Sequence, residues 1–141
     1  MTLLIDAAPL VALADEQEPR RDAILAALEA ERGELFIAAP VTAKVDYLLG
    51  RRFGPAARRA FLKDLAERRY ETPALDESGY AEALELDRRY ADLDVGLADL
   101  ATVVLARRLG ARRILTFDAR HFRAMRPIQG GTFELLPADA A

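Results

Sequence analysis

The chain has no cysteine, no tryptophan, a single histidine and, against 18 arginines, only two lysines. Without cysteine there are no disulfides and no thiolate metal site. No apolar run reaches the roughly 18 residues that identify a membrane-spanning helix. A basic leader is also missing. "MTLLIDAAPLVALADEQE" lacks a basic segment ahead of its apolar run and ends in acids, so it reads as the first element of the fold. These absences fit the cytoplasm. No strong charge of either sign stands out: the net charge is −3. Bulk charge therefore announces no nucleic-acid partner, although local patches could serve.

What is present describes a globular domain. There are 141 residues, 52% of them apolar and 30% charged. That length suits one domain spanning 1–141 with a real core. "TLLID" (2–6) reads as a buried strand, followed by a short helix and a second helix over 20–32 that Gly33 stops. "ELFIAA" (34–39) is a second strand. A helix starts at Pro40, with Val41, Val45 and Leu48 as its apolar stripe, and ends near Gly50. Helices follow at 55–69, 80–91 and 96–110, the second capped by Asp76 or Ser78 and the last ended by Gly110. "YETPAL" (70–75) and "RRILTFD" (112–118) read as strands, and "TFELLP" (132–137) as an edge strand. Short apolar strands alternating with helices predict an α/β layered fold with a mainly parallel sheet. In such folds ligands bind beyond the carboxyl ends of the strands.

Three acids stand at such places. Asp6 is the only charge between residues 1 and 14 and falls where the first strand ends. It reads as a solvated turn acid, a helix cap or a site residue. Asp99 is the only charge between Val95 and Ala106, in the first turn of a helix apolar on nearly every side. The helix dipole favours an acid there, but a buried carboxylate also needs a cation or donors. Asp118 ends the strand "ILTF". The helix 97–109 and the strand 113–117 are both roughly 17–20 Å long by their rises per residue and antiparallel across a tight turn, so Asp99 and Asp118 share an edge. A parallel first strand brings Asp6 there too. Three carboxylates repel unless a cation lies among them, and ligation by oxygen alone, without His or Cys, suits Mg²⁺ or Mn²⁺. Such an ion is suited to phosphodiester hydrolysis.

In this order and spacing, "LLIDAAPLVALAD", "APVTAKVDYLLG" and "YADLDVGLADLATVVLARRLGARRILTFDARHF" resemble the PIN-domain ribonucleases, and within them the VapC-type toxins of toxin–antitoxin pairs. The resemblance spans essentially the whole chain. It implies a three-layer α/β/α fold and an endoribonuclease dependent on Mg²⁺ or Mn²⁺ that cuts structured RNA such as tRNA. It also implies a cognate VapB-type antitoxin and a homodimer. The family acids map onto Asp6, Asp99 and Asp118, with Thr116 as the hydroxyl beside the last. The fourth, a glutamate in the helix after the second strand, is replaced here by Lys44.

Asp46 lies about 200° around the helix from that position and is a poor substitute. The Lys44 ammonium is expected to pair with Asp6 or Asp99, partly replacing the metal's charge, stabilising the metal-free fold and weakening catalysis. The competing reading has it snorkel to water beside the cleft. Arg120 and Arg123, just past Asp118, are candidates for holding phosphates. Most other arginine pairs read as solvated faces, and His121 as a surface or packing residue. The resemblance places antitoxin and dimer contacts in region 40–70, where Tyr47 and Phe53 would meet a partner helix. Lys44 also admits a second reading, a PIN-like module that holds RNA or antitoxin without cleaving. A response-regulator receiver is disfavoured, because the first strand supplies only one acid and the lysine comes early.

Overall fold

Leu3, Leu4 and Ile5 are fully buried in the computed structural model, which describes residues 2–140. Met1 and Ala141, the ends of the expected 1–141 domain, lie outside the described residues. Successive strand side chains point to opposite faces, so this strand, β1 (Thr2–Ile5), is covered on both sides. That is the environment of a parallel sheet between helical layers.

The other strands are β2 (Glu34–Phe36), β3 (Arg113–Leu115) and β4 (Glu134–Leu136). Their order is β2-β1-β3-β4 and every pairing is parallel. The expected mainly parallel sheet is thus wholly parallel among the described residues, and β4 is an edge strand as read. Among the described residues seven α-helices surround it: α1 (Ala7–Ala12), α2 (Arg21–Ala30), α3 (Ala39–Phe53), α4 (Pro55–Ala66), α5 (Glu77–Arg89), α6 (Leu97–Leu109) and α7 (Ala119–Ala124). Every residue of α6 from Asp99 to Ala106 is buried, so this helix runs through the core. Gly110, at φ +65°, ends it in the left-handed conformation that glycine tolerates.

Several boundaries differ from the sequence reading, each for a local reason. The segment 70–75 makes only one parallel bridge, Phe36 to Glu71. The Pro73 carbonyl still accepts from the Ala39 amide at 2.9 Å, but Pro73 has no N–H to continue a ladder. Helix α2 ends at Ala30 because Glu31 turns extended and its side chain accepts from the Gly33 amide at 2.8 Å. Helix α3 continues through Gly50 to Phe53. A Cβ on Gly50 would stand 3.3 Å from Arg58 on α4, so a small residue here lets the two helices approach.

Two long-range links hold the layers. Buried Glu31 pairs with Arg113 at 2.5 Å, tying the end of α2 to the start of β3. Asp76 caps α5 by accepting from the Gly79 amide at 2.8 Å and reaches Arg108 on α6 at the same distance. The Gly79 amide, then Arg108 and Ser78, hold the Asp76 carboxyl down at about 2. A group with a lowered folded-state pKa stabilises above its ordinary value and loses that contribution as pH falls through the lowered one. Asp76→Ala should therefore lower the thermal midpoint at neutral pH. Unfolding scans at decreasing pH should show the deficit closing near pH about 2.

Candidate active site

The register of β1 against β3 sets the site. Ile5 pairs with Leu115, so Asp6 and Thr116 leave the sheet side by side at its carboxyl edge. The Asp6 amide donates to the Leu115 carbonyl at 2.9 Å, extending the ladder by one bond. The Asp6 carboxylate is buried and fixed at both oxygens. Oδ1 accepts from the Ala7 amide at 2.8 Å, capping α1, and Oδ2 accepts from the Thr116 hydroxyl at 2.8 Å. That hydroxyl in turn accepts from the Asp118 amide at 2.9 Å. Thr116 therefore connects the first acid to the backbone of the last.

Asp118 caps α7, its Oδ1 accepting from the His121 amide at 3.1 Å. This cap turns the His121 ring back over the acids: Nδ1 lies 2.6 Å from Asp118 Oδ2 and 3.1 Å from Asp99 Oδ2. One ligand atom from each of Asp99, Asp118 and His121 falls within 4.8 Å of the others. Asp99 stands in the first turn of α6, where the helix dipole favours it. Burial nevertheless pushes its carboxyl above the usual range, and the charges of Asp6 and, less strongly, Asp118 add to the rise. The His121 hydrogen bond opposes the rise, and Lys44 opposes it least. This edge thus carries an excess of negative charge in the folded chain.

Asp99 and Asp118 come together as the helix and strand lengths required. Asp6 flanks them, acting on Asp99 through space but outside the compact group. The expected pairing of Lys44 with Asp6 or Asp99 is not formed: among the described residues no ion pair involves it, and its side chain is exposed. The buried stripe of α3 is Val41, Val45 and Leu49. Position 44 lies at its flank, and the long side chain carries its ammonium to water. Asp46 faces Arg58 on α4, at 3.8 Å, rather than the acids. Arg123 is held by Asp139 at 2.5 Å, while Arg120 is exposed. His121 corrects the sequence reading most, because it belongs to the site and not to the general surface. An imidazole therefore stands among the carboxylates at the edge where the sequence predicts oxygen donors alone.

The PIN-domain family model matches residues 3–126. The chain belongs to the PIN-domain family. Ribonuclease VapC26 of Mycobacterium tuberculosis is 37% identical to this PIN domain over 135 residues, covering 96% of the chain and all of the relative. Among solved structures, the M. tuberculosis VapC20 toxin, which cleaves the Sarcin–Ricin loop, superposes with a TM-score of 0.76. It is 16% identical, over 83% of this chain and 90% of that one. VapBC2 from Rickettsia felis, bound to a DNA fragment from its promoter, gives a TM-score of 0.70 at 17% identity, over 96% and 98% of the two chains. FitAcB from Neisseria gonorrhoeae gives 0.69 at 16% identity, over 93% and 96%. This PIN domain is a homologue of the VapC ribonucleases.

The donors present fit a divalent cation. Adjacent ligands on an octahedral ion with bonds of about 2.1 Å stand about 3.0 Å apart. The 3.1 Å between His121 Nδ1 and Asp99 Oδ2 matches that spacing, and the 2.6 Å to Asp118 requires only a small opening.

Two variants test the geometry of this PIN domain. Thr116→Val keeps the shape but leaves the Asp118 amide and an Asp6 oxygen short of a partner. It should cost about 1–3 kcal/mol in urea unfolding; an unchanged midpoint would mean the bridge contributes nothing. Asp99→Asn should raise the thermal midpoint of the metal-free protein at neutral pH. The sign follows from the raised carboxyl: an acid pushed up on folding costs stability above its folded-state pKa and nothing below its unfolded one. The gain should therefore vanish at pH values below the carboxylate range.

Proposed function

We propose that this chain is built as a divalent-metal-dependent endoribonuclease toxin that cuts structured RNA, such as a tRNA, and that the Lys44 form is impaired. The observation behind this reading is the meeting of Asp99 and Asp118, with Asp6 beside them, at the carboxyl edge of a parallel sheet. Asp99, Asp118 and His121 would hold the ion, with Asp6 completing the negative field. Such an ion supplies a water activated for attack and stabilises charge developing on the phosphate. The chain's own groups do the positioning. Thr116 fixes the orientation of Asp6, and the α7 cap fixes Asp118. Arg120, exposed two residues beyond Asp118, is placed to meet the RNA backbone.

Lys44 replaces a negative charge with a positive one at the mouth of this cluster. It draws no carboxylate into a pair, so the acids stay available, but the total negative charge is lower. The structural neighbour VapC20 cleaves the Sarcin–Ricin loop, and a structured substrate is proposed here by analogy. A VapB-type antitoxin is the proposed partner, in line with the VapBC2 likeness. Its landing place is the α3–α4 hairpin, where Tyr47, Phe53 and Leu62 are exposed. A cavity of about 340 Å³ lined by Leu10, Leu49 and Phe61 lies between α1 and this hairpin. A homodimer completes the proposed assembly.

The second reading, a module that holds RNA without cutting it, is favoured by the exposed Lys44 ammonium beside the acids. Paired assays on this chain and Lys44→Glu separate the two. With divalent metal, Lys44→Glu should cleave tRNA and arrest growth on expression, and adding Asp99→Asn should abolish both. RNA binding by both proteins with cleavage by neither would favour the binding module and sink the nuclease reading.

A further inference from the structure

We infer that His121 is a direct nitrogen ligand of the metal, and that it makes this site select a first-row transition ion such as Mn²⁺ or Co²⁺ over Mg²⁺. The inference rests on the proposed metal reading and deepens it.

Three observations carry it. First, the compact donor group is not all oxygen: of its three members, one is an imidazole. Second, the ring is aimed. Nδ1 is the atom facing both carboxylates, and the backbone holds it there because the Asp118 cap binds the His121 amide. One oxygen of Asp118 serves the cap and the other faces the ring, so Asp118 and His121 present a preformed pair of donors. Third, the positive charge of Lys44 acts on Asp99 and reduces the negative field at this edge.

The chemistry follows from donor type. Mg²⁺ requires near-ideal octahedral oxygen ligation, dehydrates reluctantly and draws much of its affinity from negative charge. Imidazole suits later divalent ions, whose affinities for such sites rise from Mn²⁺ through Fe²⁺ to Co²⁺. With a positive charge acting on its acids and a nitrogen among its donors, the site therefore holds Mg²⁺ less well than Mn²⁺ or Co²⁺.

His121 is the only histidine in the chain, which makes the test unambiguous in untagged protein. Protein labelled with ¹⁵N-histidine would be loaded with Mn²⁺ and examined by electron spin-echo spectroscopy, with Mn²⁺, Co²⁺ and Mg²⁺ affinities measured by titration. The expected result is a nitrogen coupling of directly bound imidazole that changes with the isotope, and affinities in the order Co²⁺, Mn²⁺, Mg²⁺ from tightest to weakest. His121→Ala should lose the coupling and weaken Mn²⁺ by about 10-fold or more, since losing even an outer partner of a ligand costs that much. Mg²⁺ affinity should change far less. Mn²⁺ bound without a histidine coupling, or a Mn²⁺-to-Mg²⁺ ratio unmoved by His121→Ala, would overturn this inference and leave the metal reading standing. Failure of both this chain and Lys44→Glu to bind Mn²⁺ would overturn the metal reading and this inference with it.

Discussion

The parallel register between β1 and β3 is the constraint on which the rest depends. Ile5 opposite Leu115 brings Asp6 and Thr116 out of the sheet together. Two residues on, Asp118 starts α7, and the tight turn at Gly110 returns the start of α6, with Asp99, to the same edge. A slip of one residue would turn every β1 side chain to the opposite face. It would also part the Asp6 carboxylate from the Thr116 hydroxyl. The fully buried β1 side chains that resist such a slip therefore also hold the acids in place.

Bringing acids together opposes folding. Asp99 is buried, and its carboxyl is pushed upward by desolvation and by its acidic neighbours. The opposing influences are a ring nitrogen, a helix dipole and, weakest, the charge of Lys44. On the proposed function, this is the imbalance that a bound cation would relieve. Lys44 acts on Asp99 through its charge, without forming an ion pair. Its effect is one of field rather than contact.

Much of this was legible in the chain. The apolar runs of β1 and α6, each interrupted by a single acid, revealed both the buried elements and the residues at their ends. Comparing the rise of a helix with that of a strand was enough to bring Asp99 to Asp118. What escaped depends on short or distant geometry. His121 enters the site because Asp118 caps a six-residue helix. The signal was the spacing in "DARH", a cap residue followed three places later by the residue whose amide it binds. The Glu31–Arg113 pair joins residues too far apart for any local pattern to connect them. The strand read at 70–75 failed at Pro73, a residue whose missing N–H could have demoted it in advance. Lys44 lies on the helix that the sequence predicts, but a difference of one position along the stripe, Leu49 buried in place of Leu48, leaves it at the exposed flank.

In the proposed function the acidic edge is a metal centre formed by the sheet. Anomalous diffraction at the manganese edge, from crystals of this chain soaked in Mn²⁺, tests that most directly. One peak bonded to Asp99, Asp118 and His121 Nδ1 is the expected result. A crystal that binds no manganese there, or binds it only at other surface carboxylates, would contradict it.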